Sequence, residues 1–177
     1  DIIREHKGAC CAIAHRQELV LQMSCALASQ GVRHRVIGPP EIVRLAVGAH
    51  MAKFGKDFYS LSSQVAVAGV DTLIRPRHTT RAWLNSTTLV VQDEAHHLLR
   101  DNKWGDAYAM FPNAKLLGVT ATPERADGKG LGAHADGVFH TMVEGPTMRE
   151  LIRMEYLTDY RIFAPPNDLD LSTARKG

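Results

Sequence analysis

Thr88-Leu89-Val90-Val91-Gln92-Asp93-Glu94-Ala95-His96-His97 passes from an unbroken apolar run into two adjacent carboxylates and then a pair of imidazoles. Leu89, Val90 and Val91 are branched apolar residues with no polar alternation, the pattern of a strand covered on both faces. Asp93 and Glu94 stand at the carboxyl end of that strand, where ligands of open α/β sheets bind. One carboxylate there can hold a hydrated Mg2+ while its neighbour orients or deprotonates a water that attacks a phosphoryl group.

Further along, Lys115-Leu116-Leu117-Gly118-Val119-Thr120-Ala121-Thr122-Pro123 repeats the design, an apolar strand that runs into hydroxyl residues and is stopped by a proline. Two such strands in parallel deliver Asp93, Glu94 and His96 beside Thr120 and Thr122. Across the chain, apolar runs alternate with amphipathic stretches, which predicts an α/β fold with a parallel sheet and covering helices. Strands are expected near 9–14, 33–37, 64–68, 88–92, 115–119 and 160–163. Helices are expected over 16–30, 41–53, 71–75, 103–110 and 147–155, with Asp1 to Lys7 as a helix tail. Gly31 suits the carboxyl cap of the 16–30 helix, and the Phe54–Ser63 stretch suits a loop over the sheet edge.

Composition bounds the classes of function. With 177 residues, 45% hydrophobic and 23% charged, the chain can bury one substantial core. A net charge of +2 makes no case for nucleic acid by itself, so any such case rests on local clusters. Three cysteines, two of them adjacent at Cys10 and Cys11, match neither a disulfide framework nor zinc spacing, and read as reduced core thiols. No apolar run approaches the roughly 20 residues that cross a bilayer, and no secretory leader is visible, so a cytoplasmic location without membrane partners is expected.

Each candidate residue has a second explanation. Asp93 and Glu94 could open a helix, where acids meet the positive end of the dipole. His96 and His97 with the two acids could form a metal-hydrolase cluster. Thr120 and Thr122 could be strand residues chosen for β propensity. Arg16 at a helix start is disfavoured by the dipole, which suggests a phosphate contact, although a solvated arginine is the alternative. Arg75, Arg77, His78 and Arg81 form either an exposed charged turn or a track for a phosphate backbone.

The ordered set resembles the first motor domain of superfamily-two helicases and translocases. Asp93-Glu94-Ala95-His96 resembles their Walker B motif, and Thr120-Ala121-Thr122 the motif that couples the nucleotide site to nucleic acid. Ala14 to Gln22 is similar to motif Ia, and Val67 to Leu73 to motif Ib. The resemblance runs from residue 14 to residue 127, and the length of the motif Ia match favours the Asp-Glu-Ala-His branch, near phage, repair or restriction translocases. It implies a RecA-like domain using ATP and Mg2+, with Asp93 holding the metal through water, Glu94 activating the attacking water, and His96, Thr120 and Thr122 coupling. Arg16, Gln22, Thr72 and Arg75 fall at positions that hold nucleic acid, DNA in the first place and RNA in the second.

Two departures shape the expectation. The Walker A loop, Gly-x-x-x-x-Gly-Lys-Ser/Thr, has no counterpart: Gly55-Lys56 is followed by Asp57, and Gly128-Lys129 by Gly130. Asp71 stands where many relatives carry a neutral residue, and is expected to cap a helix begun by Thr72. The chain therefore reads as a piece of a longer protein, with 1–166 an incomplete RecA-like domain and 167–177 the start of a linker to an absent second RecA-like domain. The resemblance also places the Walker A strand in the middle of the sheet, so its absence predicts neighbouring strands left unpaired. A nonenzymatic nucleic-acid-binding or regulatory module of the same fold is the alternative, and a Gly-Lys-Ser/Thr loop upstream in the gene decides between them.

Overall fold

The computed structural model describes residues 1–75, 79–125, 128–161 and 163. The chain divides into two units, Asp1–Met142 and Val143–Gly177. The first unit holds α1 (Ile2–Glu5), β1 (Ala9–Ala14), α2 (Gln17–Ser29), β2 (Arg35–Ile37), α3 (Pro40–Phe54), β3 (Val65–Gly69), α4 (Val70–Leu73), α5 (Arg81–Ser86), β4 (Thr87–Asp93), α6 (Lys103–Ala109) and β5 (Lys115–Val119). The strands form one all-parallel sheet in the order β2-β3-β1-β4-β5, the α/β parallel-sheet architecture expected from the sequence.

All six residues of β1 are buried, because the strand is central and both of its faces are covered. Ala9, Cys11 and Ile13 join one core with Leu73, Trp83, Leu98, Trp104 and Phe111, while Ala12 and Ala14 join a second with Val20, Ile42 and Ala46. The two cores are the two sides of a period-2 strand, which is why the sequence shows no alternation. On the second side, α2 buries Val20, Ser24 and Ala28, and α3 buries Ile42, Ala46 and His50, each at steps of four residues. Gly31, with φ 74, ends α2 by donating its N–H to the Ala28 carbonyl at 2.9 Å.

Between α2 and α3 lies a buried polar network. Ser24 Oγ sits 2.7 Å from His34 Nε2 and 3.0 Å from His50 Nε2. His34 Nδ1 lies 2.9 Å from the Val32 carbonyl, and His50 Nδ1 lies 3.3 Å from Asp57 Oδ1. Ser24, His34 and His50 are fully buried, and burial presses the His34 pKa below its ordinary value. The 54–63 stretch runs along the β2 edge: the His34 N–H donates to Phe58 O, and the Ser60 N–H to His34 O.

Four expectations are corrected. No gap interrupts the strand order, since β1 and β4 pair directly; the outer members are β2 and β5, and Val119 of β5 is 52% exposed. Asp71 caps no helix, because α4 starts one residue earlier at Val70, and its carboxylate pairs with Lys103 Nζ at 2.9 Å. Helix α5 has no counterpart among the expected elements; its N-cap is Thr80, whose hydroxyl accepts the Trp83 N–H at 3.3 Å. The strand expected at 160–163 is not formed by Tyr160, Arg161 or Phe163, for the second unit has no strand among its described residues to pair with.

The described part of the second unit centres on α7 (Met148–Arg153), opened by a capping box: Thr147 Oγ1 accepts the Glu150 N–H at 3.3 Å and the Glu150 carboxylate accepts the Thr147 N–H at 2.7 Å. The Thr147 N–H and then the Thr147 hydroxyl, both bonded to its carboxylate, hold the Glu150 carboxyl below its usual pKa. Arg77, His78, Ile162 and the segment 167–177 lie outside the described residues. Among the described residues, no helix is long and apolar enough to cross a membrane.

Candidate functional site

A parallel sheet puts the carboxyl ends of β1, β3, β4 and β5 on one side, and every singled-out motif follows one of those ends. β4 terminates at Asp93, in register with Val119 of β5. Glu94 then adopts φ 51 and ψ 51, a left-handed conformation that costs a residue with a Cβ roughly 1–2 kcal/mol. It reverses the chain into a single 3₁₀ turn, Ala95–His97. That turn can lie against β5 because position 118 has no side chain: a Cβ there would meet the Phe139 ring and would lie 2.7 Å from Ala95 Cβ. A strained acid at the end of a buried strand is the kind of backbone feature found at working sites.

His96 reaches across to the end of β5. Its Nδ1 lies 2.8 Å from Thr120 Oγ1, 3.3 Å from Thr122 Oγ1 and 3.3 Å from Glu94 Oε2. Thr120 Oγ1 accepts the Thr122 N–H at 3.1 Å and donates to the Thr122 carbonyl at 3.0 Å. Since the Thr120 proton is thereby committed, the network assigns the imidazole proton to Nδ1, which donates to Thr120. One ring thus joins the carboxylate turn to the threonine turn.

The other predicted residues fall in three places. Arg16 is the exposed N-cap residue of α2, and its side chain makes no capping hydrogen bond. Arg16 and the exposed Gln22 share an open cleft of about 500 Å3 with Glu94, His96, His97, His15, Glu18 and Leu19. Thr72 is buried, 8% exposed, and lines a separate cavity of about 100 Å3 with Gly38, Pro39 and Gly69. Arg75 is exposed just past the end of α4. The sequence reading passed over His15, although its place one residue before Arg16 at the end of β1 was a signal.

Among the described residues, no three His, Cys, Asp or Glu side chains are grouped to hold a metal ion. His97 is occupied differently: its ring lies parallel to that of Trp104, with centroids 5.8 Å apart and planes within 13°. Burial first, then the His96 and His15 imidazoles, lower its pKa against the opposing pull of Glu94.

A parallel α/β sheet that brings an Asp-Glu-Ala-His turn against a Thr-Ala-Thr turn defines a RecA-like domain of the superfamily-two helicases. The model of the family described as ResIII, type III restriction enzyme, res subunit, matches residues 2–125, well over half of the chain, and the chain belongs to that family. Among solved structures, the crystal structure of the UvsW helicase from bacteriophage T4 is similar at 12% identity with a TM-score of 0.43, over 66% of this chain and 38% of that one. A second crystal structure of T4 UvsW gives the same identity and TM-score over 22% of its chain. This chain therefore spans well under half the length of either. No curated protein matches it.

Proposed function

We propose that this chain is part of the first motor domain of an ATP-dependent helicase or translocase that acts on DNA, with RNA as the second candidate. Residues 1–166 belong to the RecA-like ATP-binding domain, and 167–177 begin the linker to a second RecA-like domain. The observation that carries this reading is the His96 ring, bonded to Thr120 and 3.3 Å from the Glu94 carboxylate.

The residues present fit one half of a nucleotide site. Asp93 and Glu94 offer the hard oxygen donors that Mg2+ prefers, at the end of a buried strand. The loop that cradles the β and γ phosphates is not in this sequence. Bound Mg2+-ATP supplies the phosphoryl group and the charge-neutralising cation. Asp93 would hold the cation, and Glu94, fixed by its left-handed backbone, would orient an attacking water and take its proton. His96 passes the state of Glu94 to Thr120 and Thr122. The exposed Arg16, Gln22 and Arg75 hold the sugar-phosphate backbone, while the buried Thr72 supports the turn at the end of β3; backbone contacts of that kind permit movement along any sequence.

Steady-state ATP hydrolysis by the intact protein, titrated with single-stranded DNA, duplex DNA and RNA, tests this. Hydrolysis should rise with nucleic acid, and Arg16→Ala should raise the half-saturating concentration. Nucleic-acid binding with no hydrolysis under any of these conditions would replace the motor with a nonenzymatic module.

A further inference from the structure

Three of the turns at the carboxyl side of the sheet meet at one aromatic cluster that the proposed chemistry does not use. His97 lies flat on Trp104, His15 stands edge-on to both at centroid distances of 5.4 Å and 5.9 Å, and the His96 and His97 rings are 4.1 Å apart. Around Trp104, Lys103 Nζ sits 5.5 Å from the ring centre and also pairs with Asp71 at 2.9 Å. Asn102 Oδ1 accepts the Trp104 and Gly105 N–H groups, while its Nδ2 donates to the His97 carbonyl at 2.8 Å. The first turn of α6 is thus fastened to the His97 backbone.

Each contact belongs to a different turn. His15 immediately precedes Arg16 at the exit of β1, Asp71 immediately precedes Thr72 at the exit of β3, and His97 follows Glu94 and His96 at the exit of β4. None of these exits is joined to another by covalent chain of fewer than about twenty residues, so their mutual spacing rests on packing. Trp104 is 6% exposed, which makes it a fixed platform rather than a surface side chain. Chains of packed side chains that hold discrete arrangements are the physical means by which separated groups bias one another.

We propose that His97 and Trp104 are positioning residues that set the Arg16 and Thr72 turns against the Glu94 turn, so that engagement of nucleic acid is felt at the hydrolytic carboxylate. This deepens the motor assignment and rests on it. His97 acts through its stacked ring, not through a nitrogen, so ring shape decides the outcome.

The test uses the intact protein and the ratio of nucleic-acid-stimulated to basal ATP hydrolysis. His97→Ala should lower that ratio by about fivefold or more, the usual scale of coupling between sites, and His97→Phe should restore most of it. Combining His97→Ala with Arg16→Ala should add little to the loss caused by either change alone. Thermal unfolding confirms that each variant is folded, and Lys103→Met, which removes the exposed ammonium from both Asp71 and the Trp104 ring but leaves the stacked rings in place, should give a smaller loss of the same kind. A ratio within about twofold of the unaltered protein in His97→Ala, or losses that multiply independently with Arg16→Ala, would overturn the positioning role while leaving the motor intact. Absence of hydrolysis in the unaltered protein would instead remove the motor assignment, and this role with it.

Discussion

Ser24→Ala removes one hydroxyl on which two buried imidazoles depend. The Val32 carbonyl, 2.9 Å from His34 Nδ1, fixes the proton there, so His34 Nε2 accepts the Ser24 proton over 2.7 Å. The serine oxygen then accepts the His50 Nε2 proton over 3.0 Å. Alanine leaves an acceptor and a donor facing each other without partners, at about 1–3 kcal/mol each. Their opposite character lets them approach one another, so the net loss should be about 2–4 kcal/mol, a large part of a stability of roughly 5–15 kcal/mol. For a chain of this size that is a fall in Tm of roughly 5–15 °C. Urea unfolding and differential scanning calorimetry of Ser24→Ala beside the unaltered protein give the number, and Ser24→Cys, a weaker donor, should fall between them. A loss below about 0.5 kcal/mol, the scale of a surface change, would mean that the hydroxyl is not shared.

Lowering the pH should weaken the same region. The neutral form of His34 is favoured in the folded state, its pKa lying below the ordinary value, so its contribution is complete above about pH 6.5 and declines as pH falls toward the folded pKa, by at most about 1.4 kcal/mol per pH unit; an unfolding midpoint unchanged between pH 7.5 and 5.5, the interval that brackets the ordinary histidine value of about 6.5, would contradict this. Gly118→Ala should cost about 1–3 kcal/mol, because its Cβ would meet the Phe139 ring and Ala95, and an unaltered melting temperature would show that the Ala95 turn does not lie against β5. His96→Ala and Thr122→Ala in the intact protein should lower the nucleic-acid stimulation of ATP hydrolysis more than the basal rate, and unchanged stimulation would deny them a coupling role.

The sheet was legible because burial on both faces leaves a strong mark. Ala9–Ala14 is an unbroken small or apolar run, buried throughout, and the weaker apolar run Leu116–Val119 follows Lys115 in an outer strand; the observed strands have the expected bounds. Helix α5 escaped notice because six residues with one buried side chain, Trp83, carry no period to detect. Tyr160, Arg161 and Phe163 belong to a run with the composition of a strand, but a strand exists only where another offers a ladder, and among its described residues the second unit has none. At the site, the meeting of His96 with Thr120 and Thr122 follows from two parallel strands ending side by side, which a sequence reveals. The cluster of His15, His97 and Trp104 does not follow from any local pattern, since three rings from separate elements meet only after the sheet has formed. Thr72 shows the reverse case: its place in the motif Ib match suggested an accessible contact, and the fold leaves it 8% exposed beside a small cavity.

ATP hydrolysis and nucleotide affinity, measured together on the intact protein and its Glu94→Gln variant, bear most directly on the motor assignment. On the proposed assignment the amide keeps the size of the side chain and loses the base, while Asp93 would still be there to hold the metal. Hydrolysis should vanish with nucleotide affinity retained. Equal loss of both would make Glu94 a structural residue of the turn, and full hydrolysis in Glu94→Gln would contradict the assignment outright.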